Sequence, residues 1–419
     1  MEKIAILTNH MEFNPGFSLT GIIQDQARML MEHGHDVSVF VNSKYHGEDI
    51  PGLTLVKKVP FAHLKDYQSI NDLTPDHKGT VQETKEMLIS ELKGYDIAFT
   101  HDFVFQGWFL PYGLGCRAAS TQLPNIKWMH WIHSIPNGLR DWWDVGLYTS
   151  KHRLIYPNKT DSLLVAEQFR GSLKHVRAVH HIKDLRSWFD FCPESCEFIK
   201  QYPNVMQADI VQIYPASVDR LSAKRVKAVI QIFAGFKKMK RSVCLVIANQ
   251  WATTKQHKQN IDNYKRFAIQ QGLVPEEEVI FTSSFQPPKY EVGIPKQFLR
   301  DLFTCSNVFI FPTREETFGL VLPEASLTSG CLTVCNKSLG MLAEVEGNHG
   351  LYHDFGSFHH DFHIEGKKEK YYFDLSKIIL GRLARNESIQ TKTFMRQKYN
   401  WDYLYNQEYV PLFAESEGW

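Results

Sequence analysis

Glu316 and Glu324 stand on either side of a turn that leads from an apolar run into a helical pattern. Val308, Phe309, Ile310 and Phe311 read as a short buried parallel strand, which Pro312 and Thr313 then punctuate. A helix is expected to start near Phe318–Leu320. Its first backbone N–H groups have no partner inside the helix and lie at the positive end of its dipole, so they suit a phosphate. Gly319 lacks a side chain, which lets an anion come close to the backbone. Glu316, ahead of the helix, can accept hydrogen bonds from sugar hydroxyls, and Glu324, about two turns in, can reach a ribose diol. An acidic first turn that only suits the helix dipole would have the same composition. The surrounding elements decide between the two readings.

Those elements follow a fixed order. A strand at CLVIAN (Cys244 to Asn249) precedes RFAIQQGL (Arg266 to Leu273), the end of a helix closed by a Gly-Leu turn. EVIFTS (Glu278 to Ser283) is the next strand, and FLRDLFTCSNVFIFPT (Phe298 to Thr313) is a short helix running into the strand described above. With the run Glu316-Thr-Phe-Gly-Leu-Val-Leu-Pro-Glu324-Ala325, this order resembles the GT-B glycosyltransferases, and within them the retaining family 4, whose pattern is E-x-F-G-L-x-x-x-E-A. The resemblance covers about residues 205 to 345. It implies an α/β fold of two Rossmann-like domains facing across a cleft, with a C-terminal helix crossing back to the first. The expected spans are an acceptor-binding domain over 1–215, a nucleotide-sugar-binding domain over 216–395 and the returning helix over 396–419.

The resemblance also implies residue roles. Glu316 would hold the hydroxyls of the transferred sugar and Glu324 the ribose, while Thr317, Phe318, Gly319 and Leu320 would cradle the diphosphate. A lysine with an arginine shortly before it would neutralise the departing diphosphate, where negative charge grows. Lys224 and Arg220 fit, yet the chain has Arg225 where the family commonly has glycine, so Arg220, Lys224 and Arg225 all stay as candidates. Retention is usually explained by front-face attack, in which a donor phosphate oxygen takes the acceptor proton, so no strong protein base is required. The implied substrate is a UDP- or GDP-sugar, with no cofactor and no essential metal; the Asp-x-Asp motif of the metal-dependent GT-A transferases is absent.

Composition sets the frame. The chain has 419 residues, 43% hydrophobic and 22% charged, with a net charge of +1, which fits two soluble globular domains. No apolar run reaches membrane-spanning length, the start MEKIAILTNH reads as a first strand, and a cytoplasmic location is expected. Seven cysteines, at 116, 192, 196, 244, 305, 331 and 335, show no CxxC pair and read as free thiols. His353, His359, His360 and His363 are too irregularly spaced for a metal site. Basic residues cluster at Lys151–Arg186 and Arg220–Arg241, while acids gather at Glu276–Glu278 and near the C-terminus.

In the first half, strands are expected at Ile4–Thr8, Val37–Val41, Tyr95–Phe103 and Asn125–Ser134, with a helix at about Gly21–His33 closed by Gly34. The segment Tyr45–Lys85 is polar and carries no clear pattern. Ligands of open α/β sheets bind outside the carboxyl ends of strands. His133, His130 and His101 are therefore candidates for lining a sugar site, with His133 placed first and strand alternation leaving the choice open. Gly16, in the loop after the first strand, is a candidate for close backbone approach.

For the acceptor, Trp128, Trp131, Trp142 and Trp143 with Arg140, Asp141 and the His180–His181 pair suit either core packing or the stacking of sugars or bases. With the basic run, they make hydroxymethylpyrimidine DNA one candidate acceptor, reached by base flipping; a saccharide or lipid-linked acceptor is the other. A sugar-nucleotide epimerase and a non-catalytic sugar-nucleotide sensor are the competing functions.

Overall fold

Segments rich in Val, Ile, Leu and Phe pair in parallel, which satisfies their backbone groups while helices cover both faces. The computed structural model describes residues 1–14, 16–62, 70–105, 109–136, 144–149, 151–347, 349–356 and 369–415. It is an α/β protein whose chain divides into two units, one formed by Met1–Asp184 with the C-terminal stretch from Trp401, the other by Leu185–Asn400.

The first unit is built on a seven-stranded parallel sheet. Its strands are β1 (Lys3–Leu7), β2 (Asp36–Asn42), β3 (Thr54–Val59), β4 (Ile97–His101), β5 (Lys127–Trp131), β6 (His152–Tyr156) and β7 (Val176–Ala178), in the order β3-β2-β1-β4-β5-β6-β7. The order reverses between β1 and β4, so the crevice for a ligand is expected outside the carboxyl ends of those two strands. Helix Ser18–Glu32 follows β1 and buries Ile23, Ala27 and Leu30; Gly34, at φ +85°, turns the chain into β2. The segment without a clear pattern holds β3 and helix Pro75–Glu91. Strand β3 lies at the sheet edge and buries only Val59, and the helix buries only His77, Thr84 and Leu88, so neither shows apolar periodicity.

The C-terminal stretch packs on this first unit. Tyr405 stacks on His33 at 3.8 Å, the Gln26 amide donates to the Tyr409 hydroxyl at 2.8 Å, and Glu415 accepts from Arg153 at 3.3 Å and from Arg177 at 2.5 Å. Its return begins at Trp401 rather than at 396. Arg396, buried on helix Glu387–Lys398, donates to the carbonyls of Val205, Met206 and Ala208 and so keeps that helix in the second unit.

The second unit contains β8 (Ile210–Ser217), β9 (Val243–Gln250) and β10 (Val279–Phe281) in the order β10-β9-β8, and β11 (Val308–Phe311), β12 (Leu332–Asn336) and β13 (Leu351–His353) in sequence order. Gln212 in β8 joins the two sheets. Its amide donates to the Ile310 carbonyl at 2.9 Å and accepts from the Ile310 N–H at 3.0 Å, standing in for a strand's backbone. Residues 185–215, given to the first domain by sequence, therefore belong here, with β8 packed into the second core. None of the seven cysteines, all of them among the described residues, forms a disulfide.

Candidate functional site

The parallel strands of the second unit deliver their carboxyl ends to one edge, and the chemistry predicted from sequence collects there. After β8 a short turn brings Lys224 to the start of helix Val226–Lys238; after β11 an irregular segment carries Glu316. The two side chains form an ion pair, and both are largely shielded from water, at 11% and 17% side-chain exposure. The Lys224 ammonium also lies 5.0 Å from the centre of the Phe311 ring, and its carbonyl accepts from the Tyr214 hydroxyl at 2.7 Å. Burial, aided by the charge of Glu316, pushes the Tyr214 hydroxyl well above its usual pKa, so it stays a proton donor that fixes the lysine turn. A second brace comes from the amide of Asn336, which donates to the carbonyl of Thr313, while its oxygen accepts from the N–H groups of Ser338 and Phe355.

Other candidates fall less centrally. Arg220 pairs with Glu315 at 2.8 Å in an exposed bridge, and Arg225, in a left-handed conformation at φ +51°, caps helix Val226–Lys238 with its charge acting on Tyr372. Among the three cations, Lys224 is the one set against Glu316. Glu324 lies in helix Val321–Ser329, bridged to Lys296 at 2.7 Å. That helix starts at Val321, a little later than expected, because Gly319 occupies φ +79° and turns the chain first. A β-carbon at Gly319 would sit 3.2 Å from both Glu316 Cγ and Phe311 Cε1, so the turn itself favours glycine. Among the described residues, the N–H groups of Phe318, Gly319 and Leu320 meet no protein acceptor, and the side chains of Phe318 and Leu320 are exposed.

In the first unit the sheet pleat separates the three histidines. His130 points into the sheet: its Nδ1 is 2.9 Å from the Thr100 hydroxyl and its Nε2 is 2.8 Å from His152, and burial lowers its pKa to about 3. It is a core residue. His133, just beyond the end of β5, lies on the other face with His101, at 3.0 Å between ring nitrogens. His181 stacks on His133 at 5.1 Å, and burial lowers the pKa of both to about 4. His10, which sequence reasoning did not single out, joins them from the loop after β1; burial lowers its pKa against the pull of Asp102. Gly16 lies in an exposed turn closed by its N–H to Asn14 Oδ1 at 2.8 Å.

Several expectations about the acceptor change. Trp128 and Trp131 are fully buried, so their faces are core and offer no stacking surface. Within the basic run, Arg153 and Arg177 are held by Glu415 and His180 by Glu408 at 2.7 Å, so acids near the C-terminus neutralise part of it. Trp142, Trp143, Arg140 and Asp141 lie outside the described residues, as do His359, His360 and His363. Among the described residues no group of three His, Cys, Asp or Glu side chains could hold a metal ion, and no helix is long and apolar enough to cross a membrane. Gln212, Asn336, Gln26 and Lys296 brace the candidate residues and were missed by sequence reasoning. The first two were visible only as polar residues within apolar strands.

No family model matches the chain, and no curated protein matches it in sequence. Among solved structures it is similar to a glycosyltransferase from Rickettsia africae (13% identity, 99% of this chain and 98% of that one, TM-score 0.37). It is also similar to a sucrose-phosphate synthase from Thermosynechococcus elongatus (16% identity, 99% and 100%, TM-score 0.35). A third is the Anabaena protein HepE in complex with UDP-glucose (14% identity, 98% and 99%, TM-score 0.33).

Proposed function

We propose that this chain is a glycosyltransferase that takes a sugar from a nucleoside-diphosphate donor, a UDP- or GDP-sugar, and passes it with retention to an acceptor hydroxyl. The observation that carries this reading is the shielded Lys224–Glu316 pair at the carboxyl ends of β8 and β11, beside the Gly319 turn and its unoccupied N–H groups. A cation and a hydroxyl-binding carboxylate are the two groups that a sugar diphosphate needs. Before the donor arrives, each satisfies the other's charge. With the donor bound, Lys224 turns to the diphosphate, Glu316 to the sugar hydroxyls and Glu324 to the ribose, and the N–H groups at 318–320 support the phosphate oxygens. Arg220 and Arg225 stand behind Lys224 as further positive charge, and the reaction as proposed uses no metal ion.

The buried state of Trp128 and Trp131 favours a saccharide or lipid-linked acceptor over hydroxymethylpyrimidine DNA, because no described aromatic face remains for base stacking from that pair. Incubation with a panel of UDP- and GDP-sugars, with nucleotide release and the sugar product followed, separates the competing functions. A transferase releases nucleotide slowly alone and faster with acceptor, an epimerase converts the donor sugar without release, and a sensor binds without turnover. A hydroxymethylated duplex, assayed for a mass shift of its nucleosides, serves as the DNA arm. Donor conversion without nucleotide release, or no turnover of any donor, would sink the proposal.

A further inference from the structure

Four side chains of the first unit share one chain of hydrogen bonds, and its polarity fixes where each proton sits. The Tyr409 hydroxyl accepts from Gln26 Nε2 at 2.8 Å, which leaves Gln26 Oε1 facing His101 Nε2 at 2.8 Å. An amide oxygen only accepts, so His101 carries its proton on Nε2. Neutral His101 then presents a bare Nδ1 to His133 Nε2, 3.0 Å away, and His133 must be the donor. Having one proton, neutral His133 keeps a bare lone pair on Nδ1. That atom is buried and has no hydrogen-bond partner, as are His181 Nδ1 and His10 Nε2. A buried acceptor without a donor is costly unless something fills it. All three histidines follow carboxyl ends of strands in the first sheet, with β1 and β4 marking the reversal of strand order.

We propose that Gln26 and His101 are positioning residues that lock His133 in its Nε2–H tautomer, so that Nδ1 accepts a hydrogen bond from a substrate hydroxyl and the site takes neutral, hydroxyl-rich groups. The bare Nδ1 of His133 offers no proton to an anion, so a hydroxyl suits it better than a phosphate. Burial keeps the cluster neutral: it is the main cause lowering His101, His133, His181 and His10. Among the described residues, the other titratable groups that face it are Asp102, which acts on His10, the His180–Glu408 pair beside His181, and Tyr409, whose pKa burial raises. This inference rests on the glycosyltransferase reading for its substrate, but the tautomer itself does not.

The test is Gln26→Glu, which keeps the shape and adds a charge. A carboxylate at the Gln26 position stabilises doubly protonated His101, whose Nδ1–H then donates to His133 Nε2 and moves the His133 proton to Nδ1. The acceptor becomes a donor. UDP-sugar turnover by the unaltered protein is expected to be nearly flat between about pH 6 and 9, whereas the variant loses about tenfold at the acid end and recovers at the alkaline end, where His101 is neutral again. Gln26→Met, with no polar atom to offer, is expected to be impaired at every pH without recovery. A Gln26→Glu profile parallel to that of the unaltered protein, in a variant that melts normally, would overturn the proposal. Should the variant fail to fold, ¹⁵N resonances of the unaltered protein, with His133 assigned by its loss in His133→Asn, decide the matter: a protonated Nδ1 refutes the tautomer. If instead no UDP- or GDP-sugar is turned over while Nδ1 proves bare, the sugar-transfer reading fails and the tautomer stands.

Discussion

At the residue scale, the central quantity is the double duty proposed for Glu316, which neutralises Lys224 and would hold the donor sugar. Glu316→Gln keeps one hydrogen bond to the lysine and removes the charge, so its stability cost is expected at about 1–3 kcal/mol, read as a modest fall in melting temperature. Turnover is expected to fall about 10²–10³-fold, the range seen when one preorganised electrostatic contact is removed. A rate within threefold of the unaltered protein, about 0.7 kcal/mol, would mean that the carboxylate does not touch the reacting sugar. Gly319 is the other decisive residue. Gly319→Ala must hold φ +79° and displace two neighbours at 3.2 Å, so it is expected to destabilise by about 1–3 kcal/mol and to weaken nucleotide binding measured by calorimetry. Normal affinity with lowered stability would show the turn to be structural only.

At the element scale, the position of the site depends on how β8 meets β11. The seam runs through the Gln212 side chain, with Asn307 Oδ1 accepting from the Val211 N–H at 3.0 Å one step away. Gln212→Leu fills the same space but leaves the Ile310 N–H and carbonyl without these partners, each costing about 1–3 kcal/mol. Urea unfolding is expected to show that loss, together with reduced nucleotide affinity, because Lys224 follows one strand of the seam and Glu316 the other. Loss of stability with unchanged affinity would detach the seam from the site. The same logic explains why the pleat matters in the first unit: alternation along β5 sends His130 inward and leaves His133 with His101 on the other face.

At the scale of the whole molecule, the histidines make the fold acid-sensitive. His130, His133 and His181 have folded pKa values of about 3, 4 and 4, below the ordinary 6.5, so the unfolded chain binds protons that the folded one refuses. Their contribution is complete above pH 6.5 and is lost as pH falls toward those lower values. Fully buried His130 alone is expected to cost about 1.4 kcal/mol per pH unit in that window. Melting temperatures recorded from pH 7 down to about pH 4.5 should fall steadily, and less steeply in His130→Asn; equal slopes would show that His130 titrates normally. Acid sensitivity should appear first in the unit that also holds the C-terminal stretch, since Tyr409 and Phe413 pack against Phe99 of its sheet.

Periodicity and turn chemistry are local, and that is why so much could be read from the chain alone: parallel strands alternating with helices, β11 at Val308–Phe311, the helix closed by Gly34, and the carboxylate pair around Gly319. The assignment of Trp128 and Trp131 to the core, the burial of His130 among them, and the pairing of Lys224 rather than Arg220 or Arg225 with Glu316 were decided by tertiary structure. So were the unit boundaries at 184/185 and 400/401, which follow from β8 packing into the second core and from Arg396 capping carbonyls almost two hundred residues earlier. Those facts depend on which face of a strand meets which neighbour. A sequence records the period of a strand, but its phase relative to a distant partner is set only when the two are packed together.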